Sequence, residues 1–166
     1  MNTDSLACIV GLGYVGLAVA VASSKVAPTI GYDINSARID DLLAGIDRNG
    51  EATKAELLNP NLRCTSDEQM LAEANIFVIA VPTPLTEGNQ PDLQALIGAS
   101  RLVGGVLRRG SSDTRPSIEG ERPIVIFEST VYPGCTEEVC IPVLEEASGL
   151  RAGVGFGVGY SPERIN

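Results

Sequence analysis

The sequence predicts an α/β fold of one domain over residues 1–166, in which a doubly wound, mostly parallel sheet carries helices on both faces. Short apolar runs alternate along the chain with segments of helical periodicity, as they do in parallel sheets. The first apolar run, residues 6–10, ends in a glycine-rich turn that leads into an apolar stretch at residues 17–22. The 166 residues, 44% of them hydrophobic, suffice for one core. These features are typical of the Rossmann-type fold.

The glycine-rich turn has the spacing of a phosphate-binding loop. Gly11 lets the chain turn sharply after the strand, Gly13 removes a Cβ that would block a pyrophosphate, and Gly16 lets the helix approach the strand. The amides at the start of this helix can bind anionic oxygens. Because the chain has 18 glycines, the pattern alone is weak evidence, and its position between a strand and a helix makes it informative.

A second short strand ends in Asp33, 22 residues after Gly11, where a ribose-binding carboxylate is expected. Its negative charge would repel a 2′-phosphate, which favours NAD over NADP as the cofactor. Arg38, in the helix that follows, could cover the adenine or tolerate a phosphate. A plainer alternative is that the glycine turn arose by chance and that Asp33 only caps the helix beginning near Asn35.

The rest of the chain continues the alternation of strands and helices. We predict helices at 35–44, 53–58, 92–107 and 136–147, and a further helix opened by a capping-box pattern at 66–69. Strands are predicted at 62–65, 75–81, 123–128 and 155–160, and a polar surface loop at 108–122. The sequence contains no internal repeat and no coiled-coil heptad.

Polar residues follow several of the predicted strands at the point where each strand ends. Thr83 comes after the fourth strand, Ser129 and Thr130 after the fifth, and Glu163 after the sixth. Each of them alone could be an ordinary turn residue. Because ligands of doubly wound sheets bind outside the carboxyl ends of the strands, together they predict one cofactor cleft.

Composition and charge narrow the function classes. The chain has 12 basic and 21 acidic residues, a net charge of −9 that argues against a nucleic-acid partner. No apolar run is long enough for a membrane span, and the N-terminus lacks the positive start of a signal peptide, so we expect a cytoplasmic protein without a membrane partner. With no histidine and no Cys-x-x-Cys pair among four cysteines, neither a metal site nor a disulfide framework is expected.

Four segments in order along the chain carry a resemblance to a known family: residues 11–17 (GLGYVGL), 81–84 (VPTP), 128–134 (ESTVYPG) and 160–166 (YSPERIN). They resemble the amino-terminal NAD-binding domain of the UDP-glucose/GDP-mannose dehydrogenase family, the nucleotide-sugar 6-dehydrogenases. Residues 47–51 (DRNGE) are similar to the branch that acts on UDP-N-acetyl-hexosamines in capsule and O-antigen synthesis.

The resemblance implies a reaction in which two NAD-dependent oxidations convert the C6 alcohol of a UDP-sugar to a carboxylate through a cysteine thioester. It implies that NAD is contacted by Tyr14, Val15, Asp33, Arg38, Pro82 and Thr83, together with the glycine turn. It places Thr130 near the nicotinamide and a catalytic water, and makes Glu163 an acid/base. Arg164 and Ile165 would border the UDP-sugar. A plainer alternative for Glu163 is a surface carboxylate.

The chain also departs from the family pattern. It stops at Asn166, where the family continues into a linking helix and a UDP-sugar-binding domain that carries the nucleophilic cysteine. We therefore expect this chain to bind NAD without completing the reaction, and the full-length protein to be a homodimer or a higher oligomer. Ala18 replaces a common proline, and Cys135 lies at a helix start, where a thiol can be reactive but is more simply read as partly buried.

Two other classes of function stay open. One is a stand-alone NAD-binding module that senses the cofactor without turnover, although such a module would not need Thr130 and Glu163. The other is a hydroxyacid or imine reductase on the same fold. Those enzymes usually place a histidine or lysine near the carbonyl, and this chain has no histidine.

Overall fold

The computed structural model describes residues 5–110 and 122–161. Its centre is a six-stranded, entirely parallel sheet with the strand order β3-β2-β1-β4-β5-β6. The strands are β1 (Ala7–Val10), β2 (Thr29–Tyr32), β3 (Leu62–Thr65), β4 (Ile76–Ile79), β5 (Ile124–Phe127) and β6 (Gly157–Tyr160). The order reverses between β1 and β4, which creates a crevice at the carboxyl ends of those strands. The predicted doubly wound sheet of the Rossmann type is confirmed.

The described residues form five α-helices: α1 (Tyr14–Ser24), α2 (Ser36–Leu43), α3 (Lys54–Leu57), α4 (Gln94–Gly110) and α5 (Ile141–Ser148). Two segments differ from the regular helices that the sequence predicts. Glu68–Glu73 is a 3-10 helix that Asp67 caps by accepting a hydrogen bond from the Gln69 amide at 2.9 Å, in place of the predicted capping box. Thr136–Cys140 is a π-helical turn that leads into α5.

The predicted surface loop at 108–122 begins later than expected, because α4 extends to Gly110. Residues 111–121 lie outside the described part of the chain. No helix in the described ranges is both long and apolar enough to cross a membrane.

The sheet separates two hydrophobic clusters. On β1, Cys8 and Val10 pack into the cluster that α4 and α5 cover, whereas Ile9 packs with Leu17 of α1 and Leu42 of α2 on the opposite face. Burial on both faces explains why the strands are continuous apolar runs rather than alternating ones.

All four cysteines are free thiols. Burial raises the pKa of Cys8 and of Cys140 to about 12, and that of Cys64 to about 11. Cys135, which the sequence predicts to be partly buried, is fully buried. Within residues 5–110 and 122–161, no cluster of three potential ligand side chains could hold a metal ion.

Candidate functional site

The glycine turn connects β1 to α1 and positions the site. Gly11 has φ +94°, a conformation that favours glycine, and its amide donates to the Tyr32 carbonyl at 2.8 Å. A Cβ on Gly16 would lie 1.8 Å from the Gly11 carbonyl oxygen, so no side chain fits between helix and turn. Gly13 is different, because a Cβ there would have no protein atom within 4 Å. Gly11 and Gly16 are therefore required by the fold, and Gly13 faces open space at the start of α1.

A cavity of about 650 Å³ lies over the carboxyl ends of β1, β2 and β4. Of the predicted cofactor-binding residues, its wall includes Gly11, Gly13, Asp33, Arg38 and Pro82. The cavity is therefore at the crevice where the strand order reverses, the place at which doubly wound sheets bind their ligands.

Hydrogen bonds hold the Asp33 carboxylate to the glycine turn and to the residue that caps α2. Its Oδ2 accepts a hydrogen bond from the Leu12 amide at 2.8 Å, and its Oδ1 accepts one from the Asn35 amide at 2.9 Å. Since each carboxylate oxygen can accept two hydrogen bonds, both retain capacity for a ligand hydroxyl. The side chain that caps α2 is Asn35, which accepts from the amides of Ala37 and Arg38. Asp33 is therefore not the N-cap residue that the plainer alternative required.

Arg38 joins α2 to two other parts of the site. Its Nε donates to the Leu12 carbonyl at 3.1 Å, and its Nη1 lies 2.8 Å from Oδ1 of Asp47. The third nitrogen, Nη2, is buried and has no hydrogen-bond partner within the described residues. The guanidinium is thus held in one orientation against the glycine turn.

Asp47 lies in the loop between α2 and α3, and its side chain is completely buried. Besides Arg38 it binds three backbone amides of its own loop, those of Asn49, Glu51 and Ala52, at 3.1, 2.6 and 3.1 Å. Burial alone would raise the pKa of Asp47, but these hydrogen bonds outweigh it and hold the pKa below its ordinary value. Asp47 is therefore charged at neutral pH and organises the 47–52 loop.

Helix α4 supplies the opposite wall of the cavity through five residues, Gln94, Ala95, Gly98, Ala99 and Leu102. Three of them, Ala95, Gly98 and Ala99, are small, and their spacing of three and four places them on one helix face. A Cβ on Gly98 would have no atom within 4 Å, so the glycine leaves space in the cavity. This wall was not predicted from the sequence, and neither was the position of Ile34, Asn49 and Glu68 in the lining of the same cavity. The only sequence signal was the small-residue spacing in α4.

Hydroxyl groups connect the loops that follow β4 and β5. Thr83 donates from Oγ1 to the Thr130 carbonyl at 2.5 Å, and Ser129 donates from Oγ to the Val81 carbonyl at 2.6 Å. These contacts bring the predicted polar residues of the two loops together, as the common sheet edge requires.

The remaining predicted residues are placed as follows. Thr83 and Thr130 are not among the residues lining the cavity, and neither are Tyr14, Val15 and Gly16. Tyr14 is 65% exposed at the first position of α1. Glu163, Arg164 and Ile165 lie outside the described residues.

A parallel sheet of this order, a glycine turn open toward a cavity and an acid at the end of β2 together define a dinucleotide-binding domain of the Rossmann type. Residues 5–166 match the model of the UDP-glucose/GDP-mannose dehydrogenase family, NAD binding domain. The chain belongs to this family, as the resemblance implied, and NAD is the cofactor of the domain.

Curated relatives agree with this assignment. The chain is 50% identical over 158 residues to protein CapL of Staphylococcus aureus. The aligned region covers 95% of this chain and 34% of the relative. It is 48% identical over 164 residues to UDP-N-acetyl-D-glucosamine 6-dehydrogenase of Pseudomonas aeruginosa, covering 98% of this chain and 36% of that protein. The chain thus spans about a third of the length of the curated relatives that it matches.

Solved structures show the same fold. GDP-mannose dehydrogenase from Pseudomonas aeruginosa, in a ternary complex, superposes with a TM-score of 0.82 at 31% identity, covering 97% of this chain and 36% of that chain. UDP-D-ManNAc dehydrogenase from Pyrococcus horikoshii superposes with a TM-score of 0.78 at 37% identity, covering 97% of this chain and 37% of that chain.

Proposed function

We propose that this chain is the NAD-binding part of a nucleotide-sugar 6-dehydrogenase that oxidises the C6 alcohol of a UDP-N-acetyl-hexosamine to a carboxylate. The observation that carries the proposal is the open glycine turn, with Gly13 facing free space at the start of α1 and Asp33 fixed beside it. Family membership and the names of the similar dehydrogenases support the reaction class.

The residues present fit NAD. The amides at the start of α1 and the open position at Gly13 would hold the pyrophosphate, because a helix N-terminus favours anionic oxygens. Asp33 would accept hydrogen bonds from the adenosine ribose, using the oxygen capacity that Leu12 and Asn35 leave free. The adenine would lie in the cavity against the small wall of α4, next to Gly98.

For the nicotinamide end of NAD, the proposed residue roles rest on the family resemblance. Bound NAD supplies the acceptor for a hydride from the sugar C6. Tyr14, Val15, Pro82 and Thr83 would border the cofactor, and the Thr130 hydroxyl would orient a water molecule. The hydrogen bond between Thr83 and Thr130 supports this arrangement, because it fixes the two loops relative to each other.

Glu163 would act as an acid/base and Arg164 and Ile165 would contact the UDP-sugar, by resemblance alone. We further propose that the linking helix and the UDP-sugar domain complete the active site, that the full-length protein is a homodimer or higher oligomer, and that it acts in the cytoplasm. The 47–51 motif and the UDP-N-acetyl-D-glucosamine 6-dehydrogenases among the relatives support the hexosamine substrate.

Two measurements test the proposal. Titration calorimetry of the chain with NAD should show binding to one site, without turnover when a UDP-sugar is added. The full-length protein should form two NADH for each UDP-N-acetyl-hexosamine consumed, measured by NADH absorbance, and should react poorly with UDP-glucose. Cofactor binding by the full-length protein without oxidation of any nucleotide sugar would favour a sensing module instead.

A further inference from the structure

Contacts within the protein hold the Arg38 guanidinium in place. Two of its three nitrogens are engaged, Nε by the Leu12 carbonyl and Nη1 by Asp47. Arginine recognises a phosphate best when two parallel N–H groups are free to form a fork. With Nε bound to Leu12, the fork that includes Nε is closed, and the remaining N–H groups are on Nη1, which Asp47 binds, and on Nη2, which is buried.

The charge of Arg38 is also compensated. The Asp47 side chain is completely buried and 2.8 Å from the guanidinium, whereas the Arg38 side chain is only 13% exposed. Asp41, another carboxylate near Arg38, is paired with Arg48 at 2.6 Å. With Asp33, Asp47 and Glu68 negative and Arg38 positive, this end of the cavity carries a net charge of −2.

We propose that Asp47 makes this site selective for NAD over NADP by holding Arg38 away from the ribose 2′ position and neutralising it. The inference rests on the proposed cofactor role. Asp33 alone does not explain the selectivity, because a free arginine in the first turn of α2, which also lines the cavity, could offset its repulsion of a 2′-phosphate. Asp47 is thus a positioning residue that acts through Arg38.

The anchoring of Asp47 supports this role. Three loop amides and Arg38 bind the same carboxylate, so the position of Asp47 is fixed by the loop that carries it. The Arg38–Asp47 ion pair is therefore a fixed part of the site rather than a surface contact between two mobile side chains.

The test compares dissociation constants for NAD and NADP, measured by titration calorimetry on the chain. In Asp47→Asn, the ratio of the NADP constant to the NAD constant should fall about tenfold, because one nearby negative charge is lost and Arg38 is released. Asp41→Asn is the matched control, since it removes one negative charge from the neighbouring helix α2 and leaves the Arg38–Asp47 pair intact. Its ratio should stay within about twofold of the wild type.

Two further variants separate selectivity from structural damage. Arg38→Gln alone should not improve NADP binding relative to NAD, because it leaves the Asp47 charge uncompensated. Adding Asp47→Asn to Arg38→Gln should give the wild-type ratio, because both charges of the pair are then absent and neither buried charge is left unpaired. If Asp47→Asn does not fold, the double variant decides alone.

An unchanged ratio in folded Asp47→Asn, an equal shift in Asp41→Asn, or a selective loss of NADP binding in the double variant would each overturn the inference. These results would leave the proposed function intact, provided that the wild type binds NAD. Failure of the wild type to bind either cofactor would overturn both.

Discussion

The Asp33 carboxylate accepts a hydrogen bond from the Leu12 amide at 2.8 Å, so the acid at the end of β2 is tied directly to the glycine turn after β1. The Asn35 amide binds the other oxygen at 2.9 Å. The two elements that must act together on a dinucleotide, the phosphate loop and the ribose acceptor, are therefore joined before the cofactor arrives. Such preorganisation lowers the cost of ordering the site on binding.

Replacing Asp33 tests its proposed ribose role. Asp33→Ala should weaken NAD binding by about 1–3 kcal/mol, because charge-assisted hydrogen bonds to the ribose are lost. Asp40→Ala, which removes an exposed carboxylate from the same region, serves as the control and should bind NAD normally. Titration calorimetry measures both, and equal affinities of Asp33→Ala and wild type would contradict the role.

The close approach of α1 to the glycine turn predicts a stability effect. Gly16→Ala should lower the free energy of unfolding by about 3 kcal/mol or more, since its Cβ would overlap the Gly11 carbonyl oxygen. Gly105→Ala is the matched change in α4, where a Cβ meets no atom within 4 Å. It should raise the stability by up to about 1 kcal/mol through helix propensity. Denaturant unfolding followed by circular dichroism distinguishes the two, and a stable Gly16→Ala protein would refute the packing.

The small residues of α4 that line the cavity predict that a larger side chain there weakens NAD binding without preventing folding. Gly98→Leu places a side chain in open cavity space and should weaken NAD binding at least about tenfold, because it occupies the adenine position. Gly105→Leu is the control on the same helix, at an open position that does not line the cavity. Normal NAD affinity in a folded Gly98→Leu protein would place the adenine elsewhere.

The pH dependence of stability follows from the Lys25–Glu56 pair. A hydrogen bond from Lys25, and others from Thr53, lower the pKa of Glu56 from 4.5 to about 2. Because the folded state holds this pKa below the unfolded value, the stabilisation is present above about pH 4.5 and is lost as the pH falls toward 2. Wild-type stability should therefore decrease across this range.

Variants of this pair isolate its contribution. Glu56→Gln should show a shallower decrease than wild type, and Lys25→Met should remove part of the same slope, in denaturant unfolding at a series of pH values. Identical pH profiles for wild type and Glu56→Gln would contradict the assignment.

Much of the fold could be predicted from the sequence because the deciding signals are local. Apolar runs bounded by turn residues placed all six strands, and the glycine spacing located the turn that β1 and α1 share. The common edge of a parallel sheet then brought Thr83 close to Thr130, which the structure shows joined by a hydrogen bond.

The parts that were missed depend on contacts between distant segments. The α4 wall consists of small residues that are also normal on a packed helix, and only the tertiary structure shows that Gly98 faces a cavity. The Arg38–Asp47 pair depends on the path of an irregular loop, which no periodicity encodes. The 3-10 helix at Glu68–Glu73 shares its cap chemistry with α-helices, so its sequence could not distinguish the two.

A crystal structure of the chain grown with saturating NAD is the most direct measurement of whether the dinucleotide lies across the carboxyl edge of the sheet. We expect electron density for the pyrophosphate beside Gly13 at the start of α1, and for the adenosine ribose on Asp33. Density for NAD at another place, or none in a cavity that side chains have closed, would contradict it.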